Sequence, residues 1–267
     1  MNEPRPLAPA STIMLVRDAP ALEVLMVERH HQIDFASGAL VFPGGKTAAE
    51  DSDARWDGLC DGDIELEERA YRISAVREAF EESGMLLARA AAQRGAGAPL
   101  IGPEAFQSLL SRRDAIAAGK ASFVEGIAEA QLVLALDALT PFAHWRTPKH
   151  MPKRFDTRFY IAHTPPEQEA LCDGWEAVDA CWIEPNEALA AGREGRRTVI
   201  FPTRLNIEML AQSPTAEAAI KAAQARKIVI VEPQVTKTEN GFVLNIPAEA
   251  GYSVTSEFMD DVMPKPA

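Results

Sequence analysis

Apolar residues recur along the chain in two spacings. STIMLVR (11–17) and ALEVLMVER (21–29) are β-rich runs, and Asp18-Ala19-Pro20 between them predicts a hairpin. GALVF (38–42) predicts a third strand running into Pro43-Gly44-Gly45, a sharp turn with accessible backbone N–H groups. Residues 46–67 are polar and acidic and predict a long loop. Residues 68–92 have the strongest helical spacing, with Ile73, Val76, Phe80 and Leu87 in one apolar stripe and Gly84 interrupting the later turns. An amphipathic helix is predicted over about 103–119. QLVLALDAL (131–139) opens another strand, followed by a basic turn, WRTPKHMPKR (145–154), and the strand FDTRFYIAH (155–163). DACWI (179–183) is a further strand, and Pro185 opens a helix through NEALAAG. Helices over about 202–211 and 215–225 come next, then strands KIVIVEP (227–233) and GFVLNIP (241–247). Residues 1–10 are Pro-rich and predict a loose arm. The pattern is that of a mixed α/β chain of the α+β type, read as one domain with insertions. Its core covers about residues 10–195, and residues 198–267 form a C-terminal helix and strand extension that caps a pocket or supplies a homodimer surface.

Composition narrows the class. The chain has 267 residues, 47% of them hydrophobic, enough for a substantial core without disulfide or metal staples. The formal charge of −12 argues against a nucleic-acid partner, which needs a basic face. Cys60, Cys172 and Cys181 are odd in number, widely spaced and form no CxxC, which suits a reducing cytoplasm. The apolar stretch near the start is too short to span a bilayer and reads as a first strand, so no membrane partner is expected. The charge is also uneven: residues 50–85 hold twelve acids and four arginines, two thirds of the net total.

Within that stretch, Glu78, Glu81 and Glu82 stand three and four residues apart, on the side of the helix opposite its apolar stripe. Like charges at this spacing destabilise a helix by about 0.2–0.5 kcal/mol per pair, a cost that a hard, oxygen-seeking cation removes. A solvated acidic face would read the same way, and the surrounding residues decide between the two. REAFEESGM (77–85), preceded by FPGG (42–45), resembles the Nudix hydrolase box, G-x5-E-x7-R-E-U-x-E-E-x-G-U with U aliphatic. Arg77, Glu78, Ala79, Glu81, Glu82, Gly84 and Met85 match its second half, and Gly44 and Glu50 match its opening. Twenty-six residues instead of seven separate Glu50 from Arg77, an insertion that can be extruded as a surface loop at modest entropic cost.

The same insertion marks a branch of the superfamily that includes a mammalian peroxisomal CoA/acyl-CoA diphosphatase. VFPGG, Trp56, AVREAFEESGMLL, LTPFAHW, PKRFDTRFYIA, CWIEPNEAL and FPTRLNIEMLA are similar to that branch. The resemblance implies a Nudix fold, a mixed β-sheet between helices, and hydrolysis of the diphosphate bridge in a small nucleotide derivative. CoA or acyl-CoA is the leading substrate; NADH or ADP-ribose, and nucleotide binding without turnover, are the alternatives. It also implies Mg²⁺ or Mn²⁺ on Glu78, Glu81 and Glu82, with Glu81 or Glu82 as first choices for the base. Gly44, Gly45, Glu50 and Gly84 shape the box. On a helical wheel Arg77 points away from the glutamates, which suggests that it orients the loop or a carboxylate.

The basic turn is the second feature. Arg146, Lys149, Lys153, Arg154 and Arg158 are opposed locally only by Asp156. They read either as an anion-binding rim for a phosphate-rich substrate or as an ordinary solvated turn. Arg29, with Glu28 and Gly38, partly suggests the CoA motif expected upstream of FPGG, so Arg29, Arg146, Lys149, Lys153 and Arg154 are the candidate substrate contacts. His144 and His150 read as hydrogen-bonded structure, and His30, His31 and Phe35 as a surface loop or substrate mouth. Trp145, Trp175 and Trp182 read as core or sheet-edge aromatics, and Arg193, Arg196 and Arg197 as an exposed loop.

Overall fold

The computed structural model describes residues 5–29, 38–171 and 177–259, so His30, His31, Phe35, Cys172 and Trp175 lie outside the described residues, as does the side chain of Arg29. Strands β1 (Ala8–Asp18) and β2 (Leu22–Arg29) form the expected hairpin, with Val16 opposite Val24. Two short strands, β3 (Leu40–Val41) and β4 (Gly44–Lys46), pair with β2 and β1 respectively, which seats the glycine turn directly on the sheet. Ala8–Ala10 are part of β1, and Arg5 donates to the carbonyl of Pro152 at 3.0 Å, so the described part of the N-terminal segment is docked, contrary to the loose arm expected.

Residues 46–67 are also more ordered than a loop. They contain 3-10 turns at Ala49–Ser52 and Ala54–Trp56 and the strand β5 (Cys60–Asp61). The cause is Trp56: it is fully buried, its ring lies 5.8 Å from that of Phe123, and its indole N–H donates to the carbonyl of Glu50 at 2.9 Å. Helix α1 spans Leu66–Ser83. It stops at Gly84, whose φ of 72° only glycine adopts readily and whose N–H closes on the carbonyl of Phe80. The expected run to residue 92 is therefore cut short, and the chain continues extended into β6 (Ala88–Ala90).

The helix expected over 103–119 is broken into a 3-10 turn, Pro103–Phe106, and helices α2 (Gln107–Leu110) and α3 (Arg113–Ala117). After them come α4 (Phe123–Glu129), β7 (Leu132–Ala135), β8 (Thr140–Arg146), β9 (Phe155–His163) and β10 (Ala177–Ile183). Helices α5 (Pro185–Arg193), α6 (Phe201–Leu210) and α7 (Ala216–Ala225) match their predicted spans within a residue or two. The chain then forms β11 (Ile230–Val231), β12 (Gln234–Thr238), β13 (Gly241–Asn245) and β14 (Ser256–Phe258).

The main sheet runs β10-β2-β1-β9-β8-β11, with β1 parallel to β9 and antiparallel to β2, so it is mixed as expected. Alternate residues of β1 serve two different cores. Ile13 and Leu15 face α1 together with Leu25, Phe80, Phe123 and Tyr160, whereas Met14 and Val16 face α5–α7 with Met26, Trp145, Phe159 and Leu205. Smaller sheets, β5-β7-β6 and β12-β13-β14, flank this sandwich. The inserted segment is fastened to the first of them by charge. Asp61 accepts from Arg89, Arg94 and the N–H of Gly95, and Arg89 also forks onto Asp137. Among the described residues no helix is long and apolar enough to cross a membrane.

Candidate active site

Pairing of β4 with β1 places Gly44 so close to Ser11 and Thr12 that a Cβ would lie 2.4 Å from the carbonyl oxygen of Ser11. A Cβ on Gly45 would lie 2.5 Å from a carboxylate oxygen of Glu78. Only a residue without a side chain lets the turn approach α1 to this distance. On the helix side, Glu82 accepts from the N–H of Gly44 at 3.0 Å. Glu78 and Glu82 are buried, and the Glu81 side chain is 13% exposed. Glu78 and Glu82 thus pack against the glycine turn, Glu81 is held by Arg77, and the cluster is not the solvated face that spacing alone allows.

Arg77 joins the two halves. Its Nη1 donates to Glu78 Oε1 at 2.8 Å and to Glu81 Oε2 at 3.1 Å, so the guanidinium reaches the acidic cluster and does not point away from it as the wheel suggested. Its other edge forks onto Asp51, Nε to Oδ1 at 2.9 Å and Nη2 to Oδ2 at 3.0 Å, and Nη2 also donates to the carbonyl of Lys46 at 2.9 Å. Burial by itself would lower the Arg77 pKa; the bond to Asp51 and the charges of Glu78, Asp51 and Glu81 outweigh it and hold the group above its ordinary value. Arg77 is a permanent cation.

Asp51 is the residue that sequence reasoning missed. It is 1% exposed and also accepts from the N–H of Ala48 at 2.7 Å. Glu50, which the box spacing selects, turns the other way. It accepts from the N–H of Phe123 at 3.0 Å and from the Ser122 hydroxyl, holding the first turn of α4. Counting six residues from Gly45 instead of Gly44 lands on Asp51, which was the available signal.

The donor set of Glu78, Glu81 and Glu82 is all oxygen and anionic, which suits a hard divalent cation. Among the described residues no three His, Cys, Asp or Glu side chains are gathered into a preformed cation cage.

The basic turn is largely neutralised by acids from other elements. Arg146 forks onto Asp156 with both contacts at 3.2 Å, and His144 also bonds Asp156. Burial would raise the Asp156 pKa, but Arg146 and His144 hold it below the usual carboxylate range. Arg154 is buried and spends its guanidinium on the carbonyls of Thr147 and Arg5 and on Glu232 at 3.0 Å. Arg158 pairs with Glu67 and Glu68 and stacks 3.9 Å from the Tyr71 ring centroid. The expectation that Asp156 alone opposes this cluster is therefore corrected: Glu67, Glu68 and Glu232 are distant in sequence but adjacent in space. Lys149 and Lys153 are exposed. Arg196 pairs with Glu187 and Glu194, and Arg197 with Glu28. Burial pushes the Cys60 thiol up to about 12, which makes it a poor nucleophile at neutral pH.

The family model described as the NUDT19 Nudix domain matches residues 60–205. Human acyl-coenzyme A diphosphatase NUDT19 is 27% identical over 287 residues, covering 92% of this chain and 76% of that protein. The putative nudix hydrolase 7 of Caenorhabditis elegans is 27% identical over 237 residues, covering 86% of this chain and 69% of its own. A crystal structure of a NUDIX hydrolase from Alicyclobacillus acidocaldarius aligns with a TM-score of 0.65 and 26% identity, covering 81% of this chain and 96% of that one.

Proposed function

Since the chain belongs to the NUDT19 Nudix domain family and is a Nudix hydrolase, we propose that it cleaves the diphosphate bridge of CoA or an acyl-CoA. The products would be 3′,5′-ADP and (acyl-)4′-phosphopantetheine. The observation that carries the reading is the junction of the glycine turn, Arg77 and the three glutamates, together with relatives whose names specify acyl-CoA diphosphatase activity.

In this reading Glu78, Glu81 and Glu82 hold Mg²⁺ or Mn²⁺. Such a cation, when bound, neutralises bridge charge and acidifies a bound water. The chain's own residues do the rest. Arg77, clamped by Asp51, fixes the positions of Glu78 and Glu81 through charge-assisted hydrogen bonds. The N–H of Gly44 fixes Glu82. Glu81 or Glu82 takes the proton of the attacking water, and Glu81 is the less buried of the two. Arg29, Arg146, Lys149 and Lys153 are the proposed phosphate contacts; Arg154, engaged on three partners inside the turn, serves to shape it.

The test is a coupled phosphate-release panel of CoA, acetyl-CoA, NADH and ADP-ribose, with and without Mg²⁺. Metal-dependent turnover of CoA or acetyl-CoA is expected. Turnover of NADH or ADP-ribose with CoA untouched would replace the substrate assignment, and nucleotide binding without turnover would replace catalysis. Glu82→Gln is expected to cost on the order of 10²-fold or more in kcat; full activity in that variant would overturn the placement of the site.

A further inference from the structure

Helix α1 ends against its own electrostatics. Glu81 and Glu82 occupy its last turn, next to Ser83, and no basic residue accompanies them there. Carboxylates at that end meet the negative pole of the helix dipole, and the last four carbonyls of a helix lack intrahelical partners. Two of the three glutamates of the candidate site therefore sit where a helix frays most easily. Arg77 and the N–H of Gly44 hold their side chains, but the carbonyl end of the helix needs its own anchor.

That anchor comes from residues distant in sequence. The N–H of Leu171, in the connection between β9 and β10, donates to the carbonyl of Ser83 at 2.8 Å. The carbonyl of Leu171 accepts in turn from Arg113 Nη1 at 2.9 Å. Arg113, on α3, is 6% exposed, and its Nη1 lies so close to Gly84 that a Cβ on that residue would stand 3.0 Å from it. A buried guanidinium thus lies at the end of α1, where a cation is favoured. Gln168, also buried, pins the same connection to the chain leaving the helix. Its Oε1 accepts from the N–H of Leu86 at 2.8 Å, and its Nε2 donates to the carbonyls of Leu86 and Ile101 at 3.0 and 2.9 Å. Residues 168–171 therefore grip the end of α1 on both sides of Gly84, at Ser83 and at Leu86.

We propose that Arg113 and Gln168 are positioning residues of the hydrolase: through residues 168–171 they hold the last turn of α1, and with it Glu81 and Glu82, in the geometry that receives the cation. The inference rests on the reading that these glutamates are the cation's ligands. Both residues act through backbone contacts and not on the substrate. The arrangement also accounts for two acids at the unfavourable end of a helix: their placement serves the site, and a counter-charge on another element offsets the stability lost.

The test compares the full-length wild type, Arg113→Met, Arg113→Lys and Gln168→Met at a temperature where all are folded. In the metal-free protein, deuterium exchange at the amides of residues 81–86 is expected to accelerate about tenfold in both methionine variants, and by more than at the sheet amides of Ile13–Val16. The Mg²⁺ concentration for half-maximal hydrolysis should rise about tenfold and kcat fall by a similar factor, with KM for the substrate little changed. Arg113→Lys, which keeps the charge, should recover most of both effects. A role confined to stability accelerates exchange uniformly and leaves the Mg²⁺ dependence at its wild-type value, and that result overturns the proposal. Should one methionine variant fold poorly, the other, with Arg113→Lys, carries the comparison. Failure of the diphosphatase reading looks different: the wild type itself then shows no Mg²⁺-dependent turnover, while exchange still decides whether residues 168–171 hold the end of α1.

Discussion

At Gly45 the backbone comes so near to Glu78 that a single added methyl group must displace the turn or the carboxylate. Gly45→Ala is therefore expected to lower kcat on the best substrate of the panel on the order of 10²-fold, the loss associated with a misplacement of about 1 Å. Phosphate release checks it, and near-normal turnover would mean that Glu78 has room to yield. Asp51 and Glu50 give a sharper contrast, because they are neighbours with opposite assignments. Asp51→Asn removes the charge that the buried Arg77 fork grips and is expected to destabilise by about 3–5 kcal/mol, with activity falling as well. Glu50→Gln should cost only about 1 kcal/mol through the first turn of α4 and leave turnover nearly intact. Urea melts and kinetics on the pair settle it. The box was legible because its second half is contiguous in sequence, running through the last turns of α1 to its glycine stop. Its first half was read one residue out of register, since the two adjacent glycines make two alignments that only the direction of each side chain separates.

The elements most easily read were those whose partners lie close in sequence or whose pattern is strong: the β1–β2 hairpin, and helices α5–α7 with proline or threonine at their starts. The inserted segment was not legible, because its order comes from contacts with residues dozens of positions away. Trp56 meets Phe123, and Asp61 meets Arg89 and Arg94. A local reading sees only polar residues there and infers a loop. This attachment also has a pH signature. Burial would raise the Asp61 pKa, but the Gly95 N–H, Arg94 and Arg89 outweigh it and hold it below the usual carboxylate value. A lowered folded-state pKa contributes stability that is complete above the unfolded pKa, near 4, and is lost as pH falls through the lower folded value. Asp61→Asn should therefore be less stable than the wild type at neutral pH and lose less further stability on acidification. Urea midpoints between pH 7 and pH 3 test this, and parallel curves would refute it.

At the scale of the whole molecule, the acidity of the chain has two structural destinations. Part of it lines the glycine turn, and part ties the inserted segment and the basic turn to their neighbours, so the acids are not spread evenly over the surface. The C-terminal residues join the same body: Val231, Leu244, Ile246 and Ala250 are buried in the core on the α5–α7 side. The two cores are linked by β1, β2 and β9, whose successive residues serve opposite faces, and β1 lies between the other two with its backbone paired to β2, β4 and β9. No local fraying can free such a strand without dismantling both sides of the sheet. The amide hydrogens of Ile13–Val16 should accordingly be among the last in the protein to exchange with deuterium, at the free energy of global unfolding, whereas those of β12 and β14 exchange through smaller openings.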